Sequence, residues 1–181
     1  MMAADEFLAS GSRLRLNRLV LVAPVNPFSS HGKRLAPFLG TPLGAGLFRL
    51  TFPRLPFLFP YWHRRMYGNR DHIPPGTLVG YLAPLAIPGL FEHGLKIVRT
   101  WRQDLAELET ILPKLASLPT LLLWGGSDPA VYASSARPLA QFFPNSQTVI
   151  FPGIGHLPYE ECSEEFNRAL LEFLARMRVP A

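Results

Sequence analysis

PTLLLWGGSDPAV (residues 119–131) is the stretch on which the fold turns. Pro119 introduces TLLLW, a continuous apolar run that reads as a strand covered on both faces. Gly125 and Gly126 then break the run and deliver Asp128 just past its end. The pattern recurs downstream, where Gln147–Phe151 reads as another strand and PGIGH (152–156) ends it on His156. Between the two, Ala133–Phe143 predicts a helix, with Pro138 compatible with a late helix start.

Working outward, Leu19–Pro24 (LVLVAP) is a third apolar run, preceded by Arg13, Arg15 and Arg18 and ended by Asn26, Pro27, Ser29 and Ser30. Arg102–Leu115 carries Leu105, Leu108, Ile111 and Leu112 at helical spacing, and Pro113 is expected to kink or end that helix. Ser163, Glu164 and Glu165 open a last helix, with Phe166, Leu170, Phe173, Leu174 and Met177 along one face. From His31 to about Leu90 clear periodicity is lost, and Pro, Gly, Arg and aromatic residues accumulate around RLPFLFPYWHRRMYG (54–68). A segment of this length is too long for an ordinary connection, so it is expected to be an insertion of short, proline-broken helices with packing of its own. The expected organisation is therefore residues 1–26 as an extension and first strand, 27–95 as an inserted cap, and 96–181 as the carboxyl-terminal core.

Strands alternating with helices make an α/β succession whose crossovers favour a parallel sheet. In open sheets of that kind function sits beyond the carboxyl ends of the strands, where Asn26, Asp128 and His156 all fall. A carboxylate such as Asp128 can hold one imidazole nitrogen of His156, fixing the tautomer while the other nitrogen takes a proton. Each residue alone has a plainer reading. An Asp in GGSDP is also a common turn residue that caps backbone N–H groups, and one His after two glycines says little. Their joint placement, each past an apolar run and separated by a helix, favours a functional scaffold.

The segment from Pro119 to Leu174 resembles the carboxyl-terminal part of the α/β-hydrolase family. LRLNRLVLVAP (14–24) is similar to the strand after that family's nucleophile and its helix, and the aromatic middle is similar to its cap or lid. The resemblance implies a partial α/β-hydrolase sheet, its last three parallel strands, with a mostly helical cap insertion. It also implies Asp128 as the acid and His156 as the base of a Ser-His-Asp type site, acting on a small apolar ester, amide or related carbonyl substrate, with no cofactor and no metal. Asn26 stands where some members place the acid. Phe28, Trp62, Tyr67 and Tyr81 are candidates for the lid surface, and Leu157 and Pro158 for the pocket wall.

The pattern departs from the family at the nucleophile. No G-x-S-x-G occurs in the 181 residues, and Ser10 and Ser12 lie in a segment without the strand and glycines that an elbow needs. The expectation is a truncated hydrolase, lacking the nucleophile-elbow half and inactive as this fragment. Its first strand would then be an exposed edge, so the chain is expected to fold weakly or to pair with itself or with the missing amino-terminal half. The alternative is a non-enzymatic binding or assembly protein that uses this edge and the aromatic insertion.

Composition narrows the partners. The apolar fraction of 48% argues for a folded domain, and a net charge of +5 carried mostly by Arg, with no zinc finger or RNA motif, reads as a solvated face and not as a nucleic-acid footprint. A reading set behind these rests Arg49, Arg54, Arg64, Arg65 and Arg70 on an anionic membrane surface. The prolines and glycines of Ile73–Phe91 argue against a spanning helix. Asp5 and Glu6 sit where a secretory leader wants positive charge, and Cys162 is the single cysteine, so a cytoplasmic location is expected.

Overall fold

The computed structural model describes residues 1–11, 16–30, 35–55 and 57–176. Ser12, Arg13, Arg15, His31 and Met177 lie outside the described residues. Helix α1 (Met2–Ala9) precedes strand β1 (Leu19–Val22), and the cap follows as α2 (Leu35–Gly40), α3 (Pro42–Thr51), α4 (Leu58–Arg65) and α5 (Thr77–Leu82). The long helix α6 (Leu90–Ile111) leads back to β2 (Thr120–Gly125), α7 (Ala136–Ala140), β3 (Ser146–Phe151), α8 (Pro158–Glu161) and α9 (Ser163–Arg176).

The three strands form one parallel sheet in the order β1-β2-β3, with Leu19 opposite Thr120 and Thr120 opposite Ser146. β2 is central and every one of its residues is buried, which is why it reads as an unbroken apolar run. Its pleat sends alternate side chains to two cores. Leu122 and Trp124 join Ile111, Leu112, Leu115, Leu139 and Phe143 on one face; Leu121 and Leu123 join Phe151, Phe166 and Phe173 on the other.

The first strand is better covered than its sequence suggests. Leu19 and Leu21 belong to the first core and Val20 and Val22 pack on the second, while Met1 and, from α1, Met2 and Ala4 close over the first. Neither face of β1 is bare, although no strand lies along its outer edge among the described residues. The strand stops at Val22, because Ala23 takes a positive φ of 39° and Pro24 has no N–H to continue a ladder. Arg18 donates to the Leu174 carbonyl, which ties the entry of β1 to the end of α9.

The cap is helical, as its proline spacing implies. Thr41 caps α3 by accepting from the Gly44 N–H at 3.0 Å, with Pro42 in the first turn. Gly76 and Gly89, both left-handed, open α5 and α6. Helix α6 starts twelve residues before the expected Arg102, since Leu95 is buried on its inner side, and it runs through the boundary expected at residue 95. Pro113 ends it in a 3-10 turn, Leu112–Leu115. Pro138 falls in the first turn of α7, after a 3-10 turn at Ala133–Ser135, so the helix starts late. Of the face expected on α9, Phe166 and Phe173 are buried and Leu170 packs beside them, whereas Leu174 is exposed. No single helix is long and apolar enough to cross a membrane among the described residues; α5 with its following turn and α6 pass that test only as a pair bent by 90°.

Candidate active site

Parallel pairing of β2 and β3 brings their carboxyl ends side by side, and backbone bonds lock the two loops beyond them. The Gly126 N–H donates to the Phe151 carbonyl at 2.8 Å and the Ser127 N–H to the Ile154 carbonyl at 2.9 Å. Gly125 is required for this approach, because a Cβ there would lie 1.8 Å from the Gly155 oxygen. Asp128 and His156 therefore meet, with Nδ1 2.8 Å from Oδ2. The Asp128 side chain has no exposed surface and that of His156 is 28% exposed.

The two sequence readings of Asp128 are both true, one oxygen each. Oδ1 accepts from the Ala130 and Val131 N–H groups at 2.7 and 2.9 Å, a turn that fixes the carboxylate. Oδ2 is left for the imidazole. Trp124 holds the same loop from below, its Nε1–H donating to the Val131 carbonyl at 2.9 Å. With Nδ1 engaged, Nε2 of His156 makes no hydrogen bond to any described residue. The arrangement presents a free ring nitrogen backed by a buried carboxylate, which is the geometry of a general base.

A cavity of about 400 Å³ opens beside His156, walled by Leu157 and by Phe59, Trp62, Met66 and Tyr81 of the cap. Trp62 and Tyr81 thus reach the surface expected of them. Phe28 does not; it stacks on Phe142 at 5.5 Å within the first core. Tyr67 is buried and donates to Glu160, and Pro158 is fully buried at the start of α8, so neither forms the wall. Asn26 is buried at the end of β1, donating to the Pro24 carbonyl at 2.9 Å and to Ser135 Oγ at 3.1 Å and accepting from the Phe28 N–H. Its side chain is engaged in shaping its own loop, and Asp128 is the residue bonded to His156.

Two features of the site were not legible in the sequence. His63 of α4 lines the cavity, its ring packed 5.3 and 5.0 Å from Tyr67 and Tyr81, and burial holds its imidazole below the usual range against the opposing pull of Glu160. Glu160 accepts from Tyr67 and, at 2.6 Å, from Tyr81, and burial together with these bonds raises both phenols.

Ser10 and Cys162 are both engaged elsewhere. Ser10 donates to the Phe7 carbonyl at the end of α1, and the Cys162 thiol, pushed by burial up to about 11, donates to the Pro158 carbonyl. No three His, Cys, Asp or Glu side chains gather as a metal-binding group among the described residues.

A parallel sheet with Asp128 and His156 beyond the ends of adjacent strands, beneath helices, is the arrangement of the α/β-hydrolase fold. The sequence profile of the alpha/beta hydrolase family matches residues 1–169, and the chain belongs to that family. It is 36% identical over 80 residues to the pimeloyl-[acyl-carrier protein] methyl ester esterase of Nitrosomonas europaea, a match covering 44% of this chain and 29% of that protein. Among solved structures it is similar to a meta-cleavage product hydrolase from Pseudomonas fluorescens IP01 (TM-score 0.68, 19% identity, 96% of this chain and 60% of that one). It is also similar to an esterase from Exiguobacterium antarcticum (TM-score 0.68, 16% identity, 95% and 62%). The chain spans about 60% of the length of these solved hydrolases.

Proposed function

We propose that this chain supplies the acid, the base and the cap of a serine-type hydrolase acting on a small, apolar ester or related carbonyl compound. The observation that carries the reading is the Asp128–His156 bond at the mouth of an apolar cavity. His156 Nε2 takes the proton of a nucleophilic hydroxyl as the oxygen attacks the substrate carbonyl, and the resulting imidazolium is held by Asp128. The same proton passes to the departing alcohol when the carbon–oxygen bond breaks. In the second half, Nε2 takes a proton from water as its oxygen attacks the acyl carbon, and returns that proton to the nucleophile's oxygen as the acyl–enzyme bond breaks. Trp62, Phe59 and Tyr81 favour an apolar substituent in the cavity, and the methyl ester esterase relative favours esters over amides.

No G-x-S-x-G turn occurs in the 181 residues, so the nucleophile is proposed to lie on a segment outside them. The chain alone is then inert. The test is turnover of p-nitrophenyl butyrate by the 181-residue chain, by its His156→Ala variant, and by a reading frame extended upstream to a G-x-S-x-G segment. No turnover is expected from the first two, and turnover that His156→Ala removes is expected from the third. Hydrolysis by the 181-residue chain that His156→Ala abolishes would overturn the placement of the nucleophile, and an inert extended protein would overturn the hydrolytic reading.

The outer edge of β1 favours a second reading, in which that edge pairs with another chain without catalysis. A monodisperse dimer without turnover in either form of the protein supports it, whereas a monomer counts against it.

A further inference from the structure

Glu161 closes α8 five residues after His156, and its carboxylate is buried with no cationic side chain paired to it among the described residues. Three backbone N–H groups compensate it instead. Gly68 donates to Oε2 at 3.0 Å, Gly155 to the same oxygen at 2.8 Å, and Asn69 to Oε1 at 2.7 Å. Charge-assisted bonds of this kind are among the stronger ones available to a protein, and a buried carboxylate without them would be unstable. Two of the donors belong to the cap, just after α4. The third belongs to the residue directly before His156.

The same segments meet again without Glu161. The His156 N–H donates to the Met66 carbonyl at 2.6 Å. Only glycine fits between them, because a Cβ on Gly68 would lie 1.9 Å from the Gly153 oxygen and one on Gly155 would lie 2.1 Å from the Met66 oxygen. Residues 66–69 and 153–156 are therefore stitched around one carboxylate, although they are far apart in the chain.

We propose that Glu161 is a positioning residue for His156, and that Met66–Asn69, cap by sequence, moves with the base, so that any motion of the cap hinges outside this segment. The link to catalysis rests on the reading of His156 as the base; the mechanical claim does not. Glu160 is a built-in control, since the hydroxyls of Tyr67, Thr77 and Tyr81 donate to it and no backbone N–H of the His156 loop does.

The test uses the full chain labelled with ¹⁵N. Glu161→Gln keeps the size of the side chain and replaces an accepting oxygen by an NH₂ group, which cannot satisfy all three donors. It is expected to speed amide exchange at Gly68, Asn69 and Gly155 by at least roughly tenfold and to erase the downfield Nδ1 proton of His156, while Glu160→Gln changes both by less than about twofold. An unchanged His156 signal in Glu161→Gln, or equal effects in both variants, overturns the proposal. Should Glu161→Gln fail to fold, native-state exchange of the wild type decides: one shared opening free energy for the three amides is expected, and separate openings for Gly155 and for the Gly68–Asn69 pair overturn it. These signals do not depend on turnover, so a chain that shows them and never hydrolyses an ester upholds the proposal and removes only the hydrolytic reading.

Discussion

Helix α3 of the cap and strand β2 of the core are both rich in leucine, yet they spend it differently. Leu121, Leu122 and Leu123 of β2 have no exposed surface, whereas Leu43, Leu47 and Leu50 of α3 stand open at 68%, 46% and 60%. In the core the backbone ladder and two packed faces leave each side chain one place to go. In the cap, short helices fix only one flank and leave apolar surface facing outward. The core holds Asp128 and His156 in place, and the cap contributes a wall to the cavity beside them.

That contrast predicts unequal responses to the same change. Leu122→Ala is expected to lose about 2–5 kcal/mol of stability in denaturant unfolding, from lost transfer energy and a cavity between tightly packed neighbours. Leu43→Ala should stay within about 0.5 kcal/mol. Comparable losses would erase the distinction between the two regions.

A smaller effect separates the glycines. Gly125→Ala drives a Cβ into the Gly155 oxygen, and it is expected to cost about 1–3 kcal/mol and to break the Asp128–His156 bond. Gly46→Ala, inside α3 with nothing within 4 Å of the new methyl, should instead add about 0.5–1 kcal/mol by helix propensity. Paired thermal melts measure both.

The smallest effect concerns pH. The Cys162 thiol is raised from 9.0 to about 11 in the folded chain, so above pH 9 the unfolded chain loses this proton first. The unfolded state then binds fewer protons, and stability falls as pH rises. The contribution is whole below pH 9 and is lost as pH passes about 11. Iodoacetamide should accordingly label native Cys162 slowly at pH 8.5 and the unfolded thiol quickly; equal rates would contradict the shift.

What was legible in the sequence follows the same division. The run TLLLW announced β2 because a strand buried on both faces needs an unbroken apolar stretch, and the glycines after it announced a tight turn before Asp128. His156 was legible for the same reason. The uses of Phe28 and Tyr67 were not, since composition marks an aromatic residue as buried without saying against what. Glu161 was illegible in principle: its partners are backbone N–H groups, two of them more than ninety residues upstream, and no side-chain pattern records such a contact. Helix α1 is short and buries none of its residues, so its sequence carries no strong apolar stripe, although Met2 and Ala4 pack against the first core.

The central claim is that Asp128 fixes the tautomer of His156 and leaves Nε2 free to take a proton. The most direct measurement is a long-range ¹H–¹⁵N correlation spectrum of the histidine rings at a pH where His156 is neutral, with Asp128→Asn as the reference. The account predicts a protonated Nδ1 and a bare Nε2 in the wild type, with that preference lost in Asp128→Asn. A wild-type ring protonated at Nε2, or the same tautomer in both proteins, would contradict it.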